Sequence, residues 1–144
     1  MKIAYKHLLR FLSEKPSIED LSEKLFQLGH EHEIQGDIFD MEFTPNRGDC
    51  LSLVGLTRDL NVFYKTNTEI SIYEKELPKL QLNFVNKAKN ECPYISFLNI
   101  EIENEISEYK DYLESYFNDF SLNKNNFFTD VSNYVAYEMG QPTH

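Results

Sequence analysis

Apolar positions fall into short periodic runs separated by clear breaks. Ile3, Leu8, Leu9 and Leu12 lie on one face of a 3.6-residue period and predict a short amphipathic helix ending near Ser13. Pro16 breaks the chain, and Ser17 with Asp20 three residues on has the form of a capping box that opens a second helix. Leu21, Leu25 and Leu28 are its apolar stripe, and Gly29 stands where a left-handed terminator belongs. The stretch "HEHEIQGDIFDMEF" reads as two short strands turning at Gln35-Gly36. Phe39, Met41 and Phe43 alternate with acids there, so one face is buried and the other wet. Thr44-Pro45 ends the second strand, because proline cannot donate to a ladder. Leu53, Leu56, Leu60 and Phe63 then recur at spacings of three and four, a buried helix face. Asp49, just ahead of that stripe, is its expected N-cap.

Residues 65–79 read as a connection carrying a short extended piece at Ile70 to Tyr73. Beyond it, Leu80, Leu82 and Phe84 alternate in "LQLNFV", and "YISFLNIEI" from Tyr94 to Ile102 is a further strand candidate. Helical spacing returns at Ile106, Tyr109, Leu113, Phe117 and Phe120, whose rings read as core rather than as a base-stacking platform. Asp130 is the expected cap of a last helix bearing Val131, Tyr134 and Val135, with Gly140 as its stop. Helices and strands mix without a βαβ rhythm, so the fold class is α+β. The predicted organisation is a helix-helix-strand-strand-helix module over 1–66, a linker at 67–77 and a second α+β segment over 78–144. At most three strands and two helices make that second segment thin for a core of its own, and it is expected to be the incomplete first part of a domain.

Composition narrows the class. Hydrophobic residues make up 41% of the 144 positions and the chain has 9 Tyr and 11 Phe, which is globular rather than disordered usage. The net charge is −10, with −3 in residues 1–66 and −7 in 67–144. Such a surface repels phosphate backbones, and no basic stripe offsets it, so this stretch alone is a poor nucleic-acid binder. The acidic run from Glu101 to Asp119 reads as a solvated face or a docking surface for a basic partner. No apolar stretch approaches the roughly 20 residues that span a bilayer, and "MKIAYKHLLRFLSEK" is interrupted by charges unlike a secretory signal. Cys50 and Cys92 form no disulfide framework. A reduced, cytoplasmic protein without membrane contact is expected.

Candidate chemistry is sparse. The histidines are His7, His30, His32 and His144. His30 and His32 share a strand face and could give two metal ligands, but no third or fourth donor is spaced with them, and a wet strand start is the simpler account. No Gly-rich phosphate loop, nucleophile elbow or metalloprotease signature is present. No cofactor or metal residue is therefore assigned. Cys50, in the first turn of a helix, is open to two readings, a thiol of lowered pKa or a buried structural residue. Arg47-Gly48-Asp49 matches a cell-adhesion tripeptide, yet an Asp committed to capping is not free to display itself on a loop tip. Arg47 either meets an acid at an interface or pins Asp49 and the local turn, and the second needs no absent partner.

The stretch "MEFTPNRGDCLSLVGLTRDL" resembles the N-terminal module of the bacterial phenylalanyl-tRNA synthetase β subunit, whose members carry E-x-T-P-N-R-x-D-C-L-S followed by G-x-A-R-E-(L/I). Here these are Glu42, Thr44-Pro45-Asn46-Arg47, Asp49-Cys50-Leu51-Ser52 and Gly55-Leu56-Thr57-Arg58-Asp59-Leu60. "NNFFTDVSNYVAYEMGQPTH", Asn125 to His144, is similar to the family's N-N-V-V-D-(V/I)-T-N-Y-V with G-Q-P-x-H after it, and the opening "MKIAYKHLLRFL" matches more loosely. Family members usually have proline where Gly48 stands, so the adhesion-like tripeptide is an accident of one substitution at a tight turn. Many members carry an inserted OB-fold tRNA-binding domain where this chain has only Gln35-Gly36, a loss that agrees with the acidic balance. They also run several times longer, continuing with A-F-D past the point where this chain ends, which makes an N-terminal fragment the expectation.

The resemblance implies an α2β2 enzyme that joins phenylalanine to its tRNA with ATP and magnesium ions. The catalytic site would lie on the α subunit, so no cofactor is expected on this chain. Its β subunit would carry an editing domain that hydrolyses mischarged tyrosyl-tRNA, with residues from about 78 onward as its start and His144 as the motif histidine of the hydrolytic site. A pocket built for an apolar ring cannot strongly reject an analogue that adds a hydroxyl, which is why editing is needed. The fragment itself would be non-catalytic, supporting assembly with the α subunit. The alternative is a free-standing acidic protein-interaction module derived from the same fold.

Overall fold

The computed structural model describes residues 1–67, 74, 76–106 and 108–143. Among the described residues, five helices and one small antiparallel sheet give the α+β class expected. In chain order they are β1 (Lys2–Ala4), α1 (Tyr5–Leu8), α2 (Ile18–Gln27), β2 (Glu31–Gln35), β3 (Ile38–Glu42), α3 (Leu53–Leu60), α4 (Asp111–Asp119) and α5 (Phe127–Met139), with a 3₁₀ turn at Gly48–Cys50.

The sheet order is β1-β3-β2. Gly36, with φ +62°, supplies the positive dihedral the tight β2–β3 turn requires, and Gln35 pairs with Ile38 on its far side. The first predicted helix is shorter than expected, because Ile3 and its neighbours pair with β3 as a third strand. Ile3 faces the core as a strand residue, and Leu8 and Leu12 follow it there from the next turns.

Ser17 caps α2 as expected, its Oγ accepting from the Asp20 N–H at 3.2 Å. The reciprocal half of the box is absent: the Asp20 carboxylate instead accepts from Tyr64 Oη at 2.5 Å, tying α2 to the segment after α3. Gly29 (φ +83°) and Gly140 (φ +71°) end α2 and α5 in the left-handed conformation the sequence predicts. Asp130 is not the cap of α5. Asn126 holds that position, its Oδ1 accepting from Thr129 N–H at 3.1 Å. Asp130, fully buried one turn in, reaches back to the Asn125 N–H and also accepts from Tyr109 Oη at 2.6 Å.

The chain forms two compact units, Met1–Glu69 with Ser107–His144 and, separately, Ile70–Ile106. This grouping differs from the expected division at 67–77, since α4 and α5 pack with the first segment. Leu113, Phe117, Tyr134 and Tyr137 belong to the same buried cluster as Ile3, Leu21, Phe39, Leu53 and Leu60. In the second unit, the expected strands at 80–85 and 94–102 are absent among the described residues, and Ile70 to Tyr73 lies outside them. Its fixed points are local: Phe84 packs edge-on to Phe97, and Asn86 Nδ2 donates to the Cys92 carbonyl at 2.7 Å.

Candidate functional site

The two stretches that carry the family resemblance meet in space. α3 packs against α5, and Gly140 comes so near the start of α3 that a Cβ built there would lie 3.2 Å from Ser52 Cβ. After β3 the chain turns at Thr44, whose carbonyl accepts from Arg47 N–H at 2.9 Å, and winds through the 3₁₀ turn. Ser52, not Asp49, is the N-cap of α3: its Oγ accepts from Gly55 N–H at 2.9 Å. Gly55 is required by packing, because a Cβ there would sit 1.9 Å from the Asp49 carbonyl oxygen.

Released from capping, Asp49 enters a charge network. Arg47 grips it in two-pronged fashion, Nε to Oδ1 and Nη2 to Oδ2 at 3.1 Å each, and Arg58 holds it from the other side. Arg47 Nη2 also donates to Asp59 Oδ2 at 2.5 Å and to Cys50 Sγ at 2.8 Å, while His30 Nε2 lies 3.1 Å from the same Asp59 oxygen. The favoured role of Arg47, pinning Asp49 and the turn, is what the geometry shows, with Asp59 as a second anchor. The hydrogen bonds from Arg47 hold the Asp49 carboxyl down at about 2. Asp59 is also lowered, although burial opposes the effect of its donors. Burial, reinforced by the neighbouring carboxylates, pushes the Cys50 thiol up to about 12. Cys50 is thus the buried structural residue of the two readings, not an activated thiolate.

His30, Cys50 and Asp59 bring ligand atoms within 4.8 Å of one another, the one such trio of metal-ligating side chains among the described residues. The guanidinium of Arg47 already fills the cationic role at its centre, donating to two of the three, and the thiol is held protonated. The arrangement locks a turn to a helix and does not fit a metal centre. His32, the other half of the histidine pair, points elsewhere: it bonds Ser22 Oγ at 2.8 Å and stacks on Phe26. His144 lies outside the described residues. The residues leading to it follow α5, where Ser132 Oγ donates to the Thr143 carbonyl at 3.0 Å.

A second polar cluster escaped sequence reasoning. His7, almost fully buried, has Nε2 at 2.8 Å from Asp119 Oδ2 and 3.2 Å from Ser115 Oγ, while Nδ1 meets Tyr137 Oη at 3.0 Å. Serine, histidine and aspartate together suggest a hydrolytic triad, but the connectivity is wrong. Asp119 and Ser115 share one ring nitrogen, and Ser115 donates its proton to Asp119 at 2.9 Å, so no base stands ready to take it. The cluster fastens α1 to α4 and α5. Its sequence trace was one histidine inside an apolar run, with partners more than 100 residues away.

The phenylalanine–tRNA ligase β subunit of Rickettsia conorii is 31% identical over 144 aligned residues, covering 94% of this chain and 17% of that protein. The chain is a relative of the β-subunit family. The corresponding subunit of Fusobacterium nucleatum is 31% identical over 112 residues, or 74% of this chain and 14% of its own length. That of Rhodopirellula baltica is 28% identical over 153 residues, covering 100% of this chain and 22% of the relative. The chain thus spans less than a quarter of the length of these β subunits. No family profile and no solved structure matches it. Among the described residues, no helix is long and apolar enough to cross a membrane.

Proposed function

We propose that this chain is part of the β subunit of a cytoplasmic phenylalanine–tRNA ligase and has a supporting, non-catalytic role there. The observation that carries this is the relatedness along 94% of the chain to a protein so named, with both resembling stretches interlocked at the junction of α3 and α5. The ligase would be an α2β2 assembly that attaches phenylalanine to its tRNA using ATP and magnesium bound by the α subunit. The net charge of −10 argues that tRNA contacts fall elsewhere in the assembly. Residues from about 78 onward would open the editing domain, and His144 would help orient or activate the water that hydrolyses tyrosyl-tRNA.

A second reading, a free-standing interaction module, draws support from α4 and α5 sharing one buried core with the first segment. Native purification of the protein from its source separates the two. The ligase reading expects an α subunit in equal amount and charging of the phenylalanine tRNA. Recovery of the protein without an α subunit sinks that reading and favours the module.

A further inference from the structure

The free edge of the sheet offers a binding surface that goes beyond the ligase reading. Among the described residues, β2 lies at one end of the order β1-β3-β2 and is paired on one side only. On the neighbouring strand, Met41 spends its own amide and carbonyl on Met1, which marks His32–Met41 as a non-bonded pair of the hairpin. Bonding alternates along an antiparallel pair, so the backbone groups of His32 and Ile34 point away from β3, toward the open edge. The register then sorts the side chains. Glu31 stands opposite Glu42 and Glu33 opposite Asp40, so four carboxylates form a square on the outer face of the hairpin. Like charges directly opposed across strands are destabilising, and among the described residues the N-terminal ammonium, 3.7 Å from Asp40, and Lys2, paired with Asp40 on β1, stand beside them. On the other face of the same edge, Ile34 and Phe26 leave large apolar areas in solvent. A hollow of about 600 Å³ lined by Phe26, Glu31, Glu33 and Glu42 runs beside them.

We propose that β2 docks an extended segment of a partner protein in which lysine or arginine alternates with apolar residues. Such a segment adds a fourth strand through the outward backbone groups of His32 and Ile34. Its apolar side chains cover Ile34 and Phe26, while its cations sit over Glu31 and Glu33 on the opposite face. A second copy of this edge is excluded by its own charge, since β2 against β2 would bring glutamates face to face. The same acids repel nucleic acid.

The test uses the full chain and a blocked, fluorescent peptide of alternating lysine and valine, followed by anisotropy. Saturable binding is expected, with the His32 and Ile34 amides newly protected from hydrogen exchange. The pair of substitutions Glu31→Lys and Glu33→Lys should weaken it about tenfold, the combined worth of two cross-strand charge pairs. That variant should in turn prefer a glutamate–valine peptide. A peptide of the same residues in blocks, or one N-methylated along its bonding edge, should bind poorly. Equal binding of either would show mere ionic adsorption and overturn the proposal. Absence of protection at His32 and Ile34 in the unaltered protein would overturn it too, leaving the acids as a guard against edge pairing.

Discussion

At residue scale, Asp49 and Ser52 show why chemistry alone could not settle the cap of α3. Both are good capping residues, they stand three positions apart, and an apolar stripe follows either one. What decides is the intervening 3₁₀ turn, which carries Asp49 off toward Arg47 and Arg58 and leaves Ser52 at the helix entry. Ser52→Ala is therefore expected to cost about 1 kcal/mol, read from the urea midpoint, and Asp49→Ala to cost less because its ion pairs with Arg47 and Arg58 lie at the solvent-screened surface. An unchanged midpoint for Ser52→Ala would mean that its hydroxyl does not cap α3. His7 gives a pH prediction of definite sign. Burial lowers its pKa below the ordinary 6.5, outweighing the opposing pull of Asp119. The unfolded chain then takes up protons before the fold does, so stability is complete above that value and is lost as pH falls through it toward the folded value. Lys6 and Arg10, on the same part of the chain, also disfavour the charged ring. Stability measured from about pH 7 to 5 should decline, and His7→Gln should flatten that decline. The lowered values of Asp59 and Asp119 act only at more acid pH, where carboxylates titrate. An unchanged slope in the variant would assign the acid sensitivity elsewhere.

At the scale of elements, local periodicity was a sound guide where a helix buries one face, and a poor one where pairing is remote. α2 and α5 follow their stripes and stop signals, and α3 follows its stripe through Leu60, but Phe63, expected on the same buried face, lies beyond the helix end and is exposed. β1 does not, because the partner that makes a strand of Lys2–Ala4 lies some 36 residues away across Lys2↔Asp40 and Ala4↔Ile38. Alternation at Leu80, Leu82 and Phe84 shows the converse, a strand-like pattern with no strand beside it among the described residues, and strands need partners to persist. The charged knot behind the 3₁₀ turn was legible only in part: Arg47 and Asp49 are neighbours in sequence, whereas His30 and Asp59 arrive from other elements. Two glycines of this junction provide a paired test. Gly48 has open space around its Cβ position and no positive φ, so Gly48→Ala should leave stability unchanged or raise it by roughly 0.4–1 kcal/mol through the unfolded chain. Gly55→Ala must displace the Asp49 backbone and should cost about 3 kcal/mol or prevent folding. Comparable melting temperatures for the two variants would mean the junction is looser than this geometry.

For the whole molecule, the core decides which parts of the chain stand together. Leu113 and Phe117 of α4 and Tyr134 and Tyr137 of α5 are buried with residues from β1, α2, β3 and α3. Three polar ties reinforce that packing: Tyr137 Oη receives the Ala4 N–H at 3.3 Å, Arg10 donates to Tyr134 Oη at 2.8 Å, and His7 engages Asp119. The sequence placed α4 and α5 with the strand-like stretch before them because adjacency is the only guide when a shared core joins residues more than 100 positions apart. The stretch 76–106 belongs to the other unit, and its lysines Lys79, Lys87 and Lys89 are exposed. Brief tryptic digestion should therefore cut first at these lysines. The flanking pieces should still elute together in size-exclusion chromatography, and circular dichroism should be nearly unchanged, because several buried aromatic and leucine side chains at about 1.5–3 kcal/mol each hold them without a covalent link. Separation of the pieces after cleavage would mean that the shared core is weaker than its burial implies, and that residues 107–144 depend on what precedes them in sequence. Co-elution would establish α4 and α5 as integral parts of the first unit, and the stretch between as an insertion into it.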